Sequence, residues 1–359
     1  CPDLRKTCKR CGGYWSIPPY AAGAYEVRLD GAAVGASVGD TVEVSFGGSD
    51  TLDAPMRVTI TEPAPPATLE PSALDRSAGT TFRVANLNTL RDGLTSTDDG
   101  RAPRLGRLLG AVRADVYCFQ EEWDNTEQDV AAALARSGAA GNARVAWYVF
   151  KRGGTQIASI HPVNGFDTGE SRLALAGVDL PTGPVLIASV HTKCCGHAGS
   201  REDIQRIEQM TALIDAVNAI RAGRFSDGAL PYRDAPVVVA GDWNLVGSRT
   251  PLTRMEEAGF VQVPLMQLGG DTTATWISER SDFSPGRLDL GAYMGSAIEA
   301  VGGYVLNTRT LPSDVLEGSG MQQGDSMASD HLMLVMDVRT GMYKPASKEP
   351  STMASRSKQ

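Results

Sequence analysis

The chain has 359 residues and carries 34 Lys and Arg against 42 Asp and Glu, a formal net charge of −8 at pH 7. This balance excludes a strongly basic nucleic-acid-coating protein but not a nuclease, because catalysis needs only a local site. No apolar run approaches the roughly eighteen residues of a membrane-spanning helix, so the sequence predicts no transmembrane segment. The length favours one large domain accompanied by a small one.

Residues 1–19 form a basic segment that contains Cys1, Cys8 and Cys11. Zinc sites use four sulfur or imidazole ligands, and this segment offers three cysteines and no histidine, so free thiols or a disulfide compete with a metal site. A cysteine at position 1 also fits an acylated lipoprotein terminus.

Residues 20–62 alternate between apolar and polar side chains in three short runs, at 24–29, 41–46 and 56–60. This period predicts strands of a small β-sandwich-like module that could dock to a surface or a protein partner. Residues 63–78 are a Pro/Ala-rich linker, and residues 342–359 have the composition of a disordered tail. Together with Cys1, these features favour an extracytoplasmic protein, either secreted, periplasmic or lipid-anchored.

Residues 79–341 show the mixture of patterns expected of an α/β domain. Helical spacing of apolar residues predicts helices at 101–114, 129–136 and 201–220. Short apolar runs predict strands at 82–87, 115–120, 146–150, 156–160, 173–178, 185–190, 236–240, 288–294 and 332–338.

Polar side chains follow or interrupt these apolar runs where strands are predicted to end. In chain order they are Asn88, Gln120-Glu121, His191, Asp242 and Asn244, Asp289, and Asp330-His331. Any one of them could simply end a strand, and the informative feature is the ordered set. Acids, amides and histidines without a Ser or Cys nucleophile suit hydrolysis by an activated water. Carboxylate and amide oxygens suit a hard cation such as Mg²⁺.

The ordered set resembles the endonuclease/exonuclease/phosphatase (DNase-I-like) superfamily over about residues 79–341. The segments 241–244 (Gly-Asp-Trp-Asn) and 329–331 (Ser-Asp-His) carry the strongest resemblance. It implies a four-layered α/β sandwich, with two central mixed β-sheets flanked by helices, here preceded by a small all-β module. It also implies a metal-dependent phosphoric ester hydrolase that uses Mg²⁺, or alternatively Mn²⁺ or Ca²⁺.

The resemblance assigns a role to each matching position. Asn88, Glu121 and Asp330 would lie at the metal. Asp242 would orient or deprotonate the attacking water, and Asn244 would hold that water or a phosphate oxygen. His331 would donate to the non-bridging oxygens with Asp289 fixing its tautomer, and His191 would stabilise the developing negative charge.

One departure concerns the partner of His191. Nuclease members often place an acid on the strand after the one that bears the glutamate. Residues 147–166 of this chain contain no Asp or Glu. This difference leaves the orienting partner of His191 unidentified and favours the phosphatase or phosphodiesterase subgroups. Lys193, two residues after His191, could contact a substrate phosphate or simply be solvated.

Three functions remain open at this level. The first is hydrolysis of a phosphate monoester or diester, on a small molecule, a lipid headgroup or a nucleic acid. The second is a secreted endonuclease acting on DNA or RNA. The third, of another class, is a non-catalytic binding protein on the same fold. We expect a monomer in each case.

Overall fold

The computed structural model describes residues 15–21, 24–27, 37, 39–44 and 56–59, and residues 69–341 apart from 98, 142–144, 271, 280 and 282–284. Before residue 69, strands β1 (Trp15–Ala21) and β2 (Ala24–Val27) form one antiparallel pair, and β3 (Thr41–Val44) and β4 (Met56–Thr59) form another. The sandwich-like module stays a prediction. Cys1, Cys8, Cys11 and residues 342–359 lie outside the described residues.

The strands of the main body fall into two groups. One group is β5 (Phe82–Asn88), β6 (Val116–Gln120), β7 (Tyr148–Arg152), β8 (Thr155–Ser159), β15 (Ile298–Leu306) and β16 (Met333–Thr340). The other is β9 (Val163–Phe166), β10 (Leu173–Leu180), β11 (Gly183–His191), β12 (Val237–Asp242), β13 (Val261–Gln262) and β14 (Asp289–Met294).

The helices lie between these strands in the chain. They are α1 (Arg101–Val112), α2 (Glu127–Ser137), α3 (Arg201–Arg221), α4 (Thr250–Glu257) and α5 (Ser313–Ser319), with single 3₁₀ turns at Pro71–Leu74, Asp227–Tyr232 and Asp325–Ala328. None of the helices in the described ranges is both long and apolar enough to cross a membrane.

Within the described body, the strands build two six-stranded mixed sheets. Sheet 1 has the order β13-β14-β12-β11-β10-β9, and sheet 2 has the order β15-β16-β5-β6-β8-β7. One apolar cluster fills the space between the sheets, a second joins sheet 1 to α3 and α4, and a third joins sheet 2 to α1, α2 and α5. This arrangement confirms the predicted four-layered sandwich.

The central strands are apolar on both faces because both faces are covered. In β12, Val237 and Val239 pack in the cluster with the α3 helix, whereas Val238 and Ala240 pack between the sheets. A strand buried on both sides reads as a continuous apolar run, which is the pattern the sequence shows here.

The packed body begins ahead of residue 79. Leu74 is buried in the sheet 2 cluster, and Arg76 Nη1 donates to Asp115 Oδ2 at 2.6 Å. Residues 69–78, which the composition placed in the linker, therefore contact the main body.

Several elements were not anticipated. Strands β9, β13 and β15 and helices α4 and α5 are additional to the predicted set. In β15, a register shift lies between Ala300 and Gly302, and Gly303 has φ +143°. Glycines and a bulge break the period of two on which strand prediction depends.

Helix α2 begins with a capping box. Thr126 Oγ1 accepts from the Asp129 amide at 3.2 Å, and Asp129 Oδ2 accepts from the Thr126 amide at 2.9 Å. We expect Thr126→Ala to lower the free energy of unfolding by about 1 kcal/mol, measured by urea denaturation, because helix amides lose their partner. Gln128→Ala, at an exposed position of the same helix, is the control. Equal stability of the two variants would contradict the prediction.

Candidate active site

Strand register brings distant parts of the sequence into one row. In sheet 1, β11 runs parallel to β12 and pairs His191 with Asp242, while β14 runs antiparallel to β12 and pairs Asp289 with the same Asp242. In sheet 2, the parallel strands β5 and β6 pair Asn88 with Gln120, the residue before Glu121. Contacts across the two sheets join these ends into a single site.

His331 is held by the carboxylate of Asp289. The two atoms His331 Nδ1 and Asp289 Oδ2 lie 2.8 Å apart, and His331 Nε2 lies 3.7 Å from Asp242 Oδ2. Asp289 is completely buried, and its other oxygen accepts from Asn86 Nδ2 at 3.2 Å. The hydrogen bond to Nδ1 fixes the ring orientation and leaves Nε2 facing the site.

The carboxylates around His331 control its charge. Burial opposes protonation, but the negative charges of Asp289 and Asp242 outweigh it and raise the pKa of His331 to about 10. Burial also raises the pKa of Asp242, although the two histidines that face it oppose this shift. At neutral pH the site therefore holds a cationic His331 beside Asp242, whose carboxyl group is more basic than an ordinary aspartate.

His191 is held differently. Its Nε2 lies 3.6 Å from Asp242 Oδ2 and 4.0 Å from Glu121 Oε1, but its buried Nδ1 has no hydrogen-bond partner among the described residues. The ring instead packs near Trp123, with the ring centroids 6.0 Å apart. Burial lowers the pKa of His191 to about 4, so this imidazole is neutral where His331 is charged.

Asn88 and Glu121 form the sheet 2 side of the site. Asn88 Nδ2 donates to Glu121 Oε1 at 3.2 Å and to Asp242 Oδ2 at 3.1 Å, so one amide bridges both acids. Glu121 has φ +64°, a left-handed conformation that is unusual for a residue with a side chain. The amide of Arg91 donates to its second oxygen at 3.1 Å.

A buried acid next to Glu121 was not singled out from the sequence. Glu122 accepts from Thr89 Oγ1, from Asn125 Nδ2 and from the amide of Leu94. Burial raises the pKa of Glu122, although these hydrogen bonds favour the charged form. The network ties the loop after β5 to the end of β6 and so supports Glu121. The sequence shows only the pair of adjacent glutamates.

The turn after β12 depends on two backbone features. A Cβ on Gly241 would lie 2.1 Å from the carbonyl oxygen of Val190, so only glycine lets β11 and β12 approach this closely. Asn244 has φ +44°, donates its amide to Asp242 Oδ1 at 3.1 Å, and donates Nδ2 to the Thr192 carbonyl at 3.2 Å. This turn therefore fixes one oxygen of Asp242 and leaves the other for the site.

Two residues that the sequence analysis placed in the site, Lys193 and Asp330, lie at its margin. Lys193 is half-buried, and its backbone amide donates to Gln209 Oε1 at 2.9 Å. Asp330 Oδ2 accepts from Trp276 Nε1 at 3.0 Å. No hydrogen bond within the described ranges joins Asp330 to Asn88 or Glu121, the other two predicted metal ligands.

The arrangement of ligand atoms differs from the predicted metal set. One ligand atom from each of Asp242, Asp289 and His331 lies within 4.8 Å of the others, which makes this group a candidate cation site. However, His331 Nδ1 already shares a hydrogen bond with Asp289, and a protonated imidazole cannot bind a metal. Glu121, with Asn88 beside it, supplies the oxygen donors that a hard cation prefers.

The two histidines give the metal-free protein opposite pH dependences. The folded-state pKa of His331 lies above its ordinary value of 6.5, so its stabilisation is complete below pH 6.5 and is lost as the pH rises towards 10. The pKa of His191 is lowered, so its stabilisation is present above pH 6.5 and is lost as the pH falls towards 4.

We therefore expect His331→Asn to flatten the alkaline side of the stability profile, and His191→Asn to flatten the acid side. Urea denaturation in EDTA across this pH range measures both effects. Profiles that run parallel to that of the unchanged protein would contradict the assignment.

The sandwich fold and this edge define an α/β protein with a polar site of acids, amides and histidines between two sheets. The model of the Endonuclease/Exonuclease/phosphatase family matches residues 85–331, more than half of the chain, and the chain belongs to this family. The family consists of metal-dependent phosphoesterases and nucleases that act on phosphate esters. No curated protein matches the chain.

Several solved structures are also similar to the chain. An endonuclease/exonuclease/phosphatase from Beutenbergia cavernae has 20% identity and a TM-score of 0.45, with 72% of each chain covered. The 3'-5' exonuclease NExo from Neisseria meningitidis has 16% identity and a TM-score of 0.48, covering 72% of this chain and 100% of its own. The catalytic domain of human nocturnin has 16% identity and a TM-score of 0.47, covering 76% and 100%.

Proposed function

We propose that the protein is a divalent-metal-dependent hydrolase of phosphate esters, acting as a phosphodiesterase or phosphatase. The observation that carries this proposal is the row His191, Asp242 and Asp289, completed by His331 and faced by Glu121 and Asn88. General base, cationic donor and oxygen ligands thus lie within one site, as in-line attack of water on phosphorus requires.

Asp242 is well placed to act as the general base that takes a proton from the attacking water. Its Oδ1 is held by the Asn244 amide, while its Oδ2 faces both His191 Nε2 and His331 Nε2 at 3.6 and 3.7 Å. Burial raises its pKa, which brings its basicity closer to that required for taking a proton at neutral pH.

The two histidines suit opposite tasks. His331 is charged, so it can donate from Nε2 to a non-bridging phosphate oxygen, while Asp289 holds its other nitrogen. His191 is neutral and can donate one hydrogen bond to the charge that develops on phosphorus oxygens. Asn244 and Lys193, which follow Asp242 and His191 in the chain, would contact the water or the phosphate.

The donor set fits Mg²⁺ or Mn²⁺, because carboxylate and amide oxygens predominate. When bound, the ion would act as a Lewis acid on the phosphate oxygens. Glu121 with Asn88 would hold it, and Asp330 would approach from the adjacent turn.

Activity should therefore require the metal and depend on Glu121. We expect turnover of bis-p-nitrophenyl phosphate with Mn²⁺ or Mg²⁺, and its loss in EDTA. Glu121→Gln should raise the metal concentration needed for half-maximal activity by at least about 10-fold, the lower bound for losing a group that merely supports a metal ligand, because here a charged oxygen ligand is itself removed.

Asp289→Asn distinguishes the two possible cation positions. If Glu121 is the metal ligand, Asp289→Asn should lower kcat and alter the dependence of kcat on pH. The metal concentration needed for half-maximal activity should not change. A raised metal requirement in Asp289→Asn and not in Glu121→Gln would instead assign the ion to Asp242, Asp289 and His331. Absence of any metal-dependent turnover across DNA, RNA, phospholipids and sugar phosphates would favour the non-catalytic binding protein.

A further inference from the structure

An exposed tryptophan borders the site beside His191. Trp123 follows Glu121 by two residues and is 41% exposed. Its ring centroid lies 6.0 Å from that of His191, at an interplanar angle of 47°. No role in the hydrolytic chemistry described above uses this side chain.

The indole is held in position. A Cβ on Gly154 would lie 2.5 Å from the ring, so the glycine allows the indole to pack directly on the turn between β7 and β8. Lys151 Nζ donates to the backbone carbonyls of Trp123 at 2.7 Å and Asn125 at 2.6 Å, which fixes the chain on both sides. A ring ordered before binding loses little conformational entropy when a ligand packs on it.

One cation lies against the ring, and a second lies in the loop after His191. The guanidinium carbon of Arg172 lies 5.6 Å from the Trp123 ring centroid, and Arg172 Nη1 donates to the His191 carbonyl at 3.4 Å. Lys193 is half-buried and lies two residues after His191, in the loop that follows β11. Among the ion pairs of the described residues, neither Arg172 nor Lys193 has a carboxylate partner.

We propose that Trp123 and Arg172 form a subsite for a planar ring, of the nucleobase type, on a group esterified to the scissile phosphate. The inference rests on the proposed phosphoesterase function and adds a substrate determinant to it. A partly exposed aromatic ring can take a planar ring by stacking, and the adjacent guanidinium of Arg172 favours an anionic substrate. A lipid chain would instead need a continuous apolar surface, which one indole beside a guanidinium does not provide.

Two substrates with the same leaving group test the subsite. Thymidine 5′-(p-nitrophenyl phosphate) and methyl p-nitrophenyl phosphate both release p-nitrophenolate, but only the first carries a base. Stacking contributes about 1–3 kcal/mol, so Trp123→Leu should lower kcat/KM for the thymidine ester by about 5- to 150-fold, mainly through KM. The methyl ester should be hydrolysed within about twofold of the unchanged protein, and Trp123→Phe should retain most of the preference because it keeps a ring.

Tyr148→Leu is the matched control, because Tyr148 is 45% exposed on β7 and no hydrogen bond or ring contact among the described residues joins it to the site. It should leave both esters unaffected. An equal loss on both esters in Trp123→Leu, or no loss on either, would overturn the proposal. A loss that Tyr148→Leu reproduces would do the same.

Calorimetry separates this proposal from the proposed function. Thymidine 5′-monophosphate should bind the unchanged protein more tightly than methyl phosphate, and Trp123→Leu should remove the difference. If neither ester is hydrolysed and p-nitrophenyl phosphate, a monoester, is also left intact, the proposed function fails, but this binding difference still supports the subsite. If both phosphates bind equally, or glucose 6-phosphate binds as tightly as the nucleotide, the planar-ring subsite is wrong.

Discussion

Replacing Asp242 with asparagine should lower kcat for phosphodiester hydrolysis by about 10²- to 10⁴-fold, the range for loss of a general base. The amide can still accept from the Asn244 backbone at the position of Oδ1. At the position of Oδ2 it cannot take a proton from water, and it faces the amide of Asn88 at 3.1 Å. The expected change is therefore in kcat more than in KM.

Steady-state kinetics with a saturating metal concentration measures this effect, and circular dichroism and urea denaturation check the fold. Asp215→Asn removes one exposed carboxylate from α3 and should have near-normal turnover. His331→Asn should lose activity to a similar extent, because the cationic donor is lost. Near-normal turnover in Asp242→Asn would contradict the assigned chemistry.

Replacing Arg83 with leucine should lower the free energy of unfolding by about 3–5 kcal/mol, because it leaves a buried charge without its partner. Arg83 Nε donates to Asp337 Oδ1 at 2.7 Å, and both side chains are at most 2% exposed. Arg83 Nη1 also donates to the carbonyls of Leu74 and Val112. This single side chain joins sheet 2 to the segment before it and to the end of α1.

The exposed ion pair of Arg339 with Glu299 provides the control. These side chains are about half exposed, so Arg339→Leu should change stability by at most about 1 kcal/mol. The double variant Arg83→Leu with Asp337→Leu should recover part of the loss, because no unpaired charge remains. Equal destabilisation by Arg83→Leu and Arg339→Leu would contradict the prediction.

Most of the fold could be predicted because its core strands have strong local patterns. The apolar runs around Val238 and Ile187 are buried on both faces, and the long helix 201–220 has the expected extent. β15 could not be predicted, because its glycines and bulge break the alternation and its burial depends on pairing with β16. Helix α5 has only seven residues, too few for a clear helical period.

The part of the candidate site that could be predicted consists of residues at the ends of predicted strands. Asn88, His191 and Asp242 close predicted strands, and parallel pairing places such ends along one edge. Glu122 and Trp123 follow Glu121 directly in the sequence, but they were missed because a loop has no period that marks a side chain as buried or as part of a site. Arg172 was missed because it is remote in the sequence. Contacts of these residues with Thr89 and His191 link them to the site.

The sequence by itself determined the α/β pattern of the main body and the polar residues at its strand ends, since burial period and strand-end position are local features. The sandwich architecture followed from the resemblance that this ordered set bears to a known family. Only the tertiary structure decided the charge state of each of these side chains. Two histidines of the same type differ because His331 lies 2.8 Å from a carboxylate, whereas His191 Nδ1 is buried without one. Charge state depends on burial and on the distance to other charges, and neither quantity exists until the two sheets pack together.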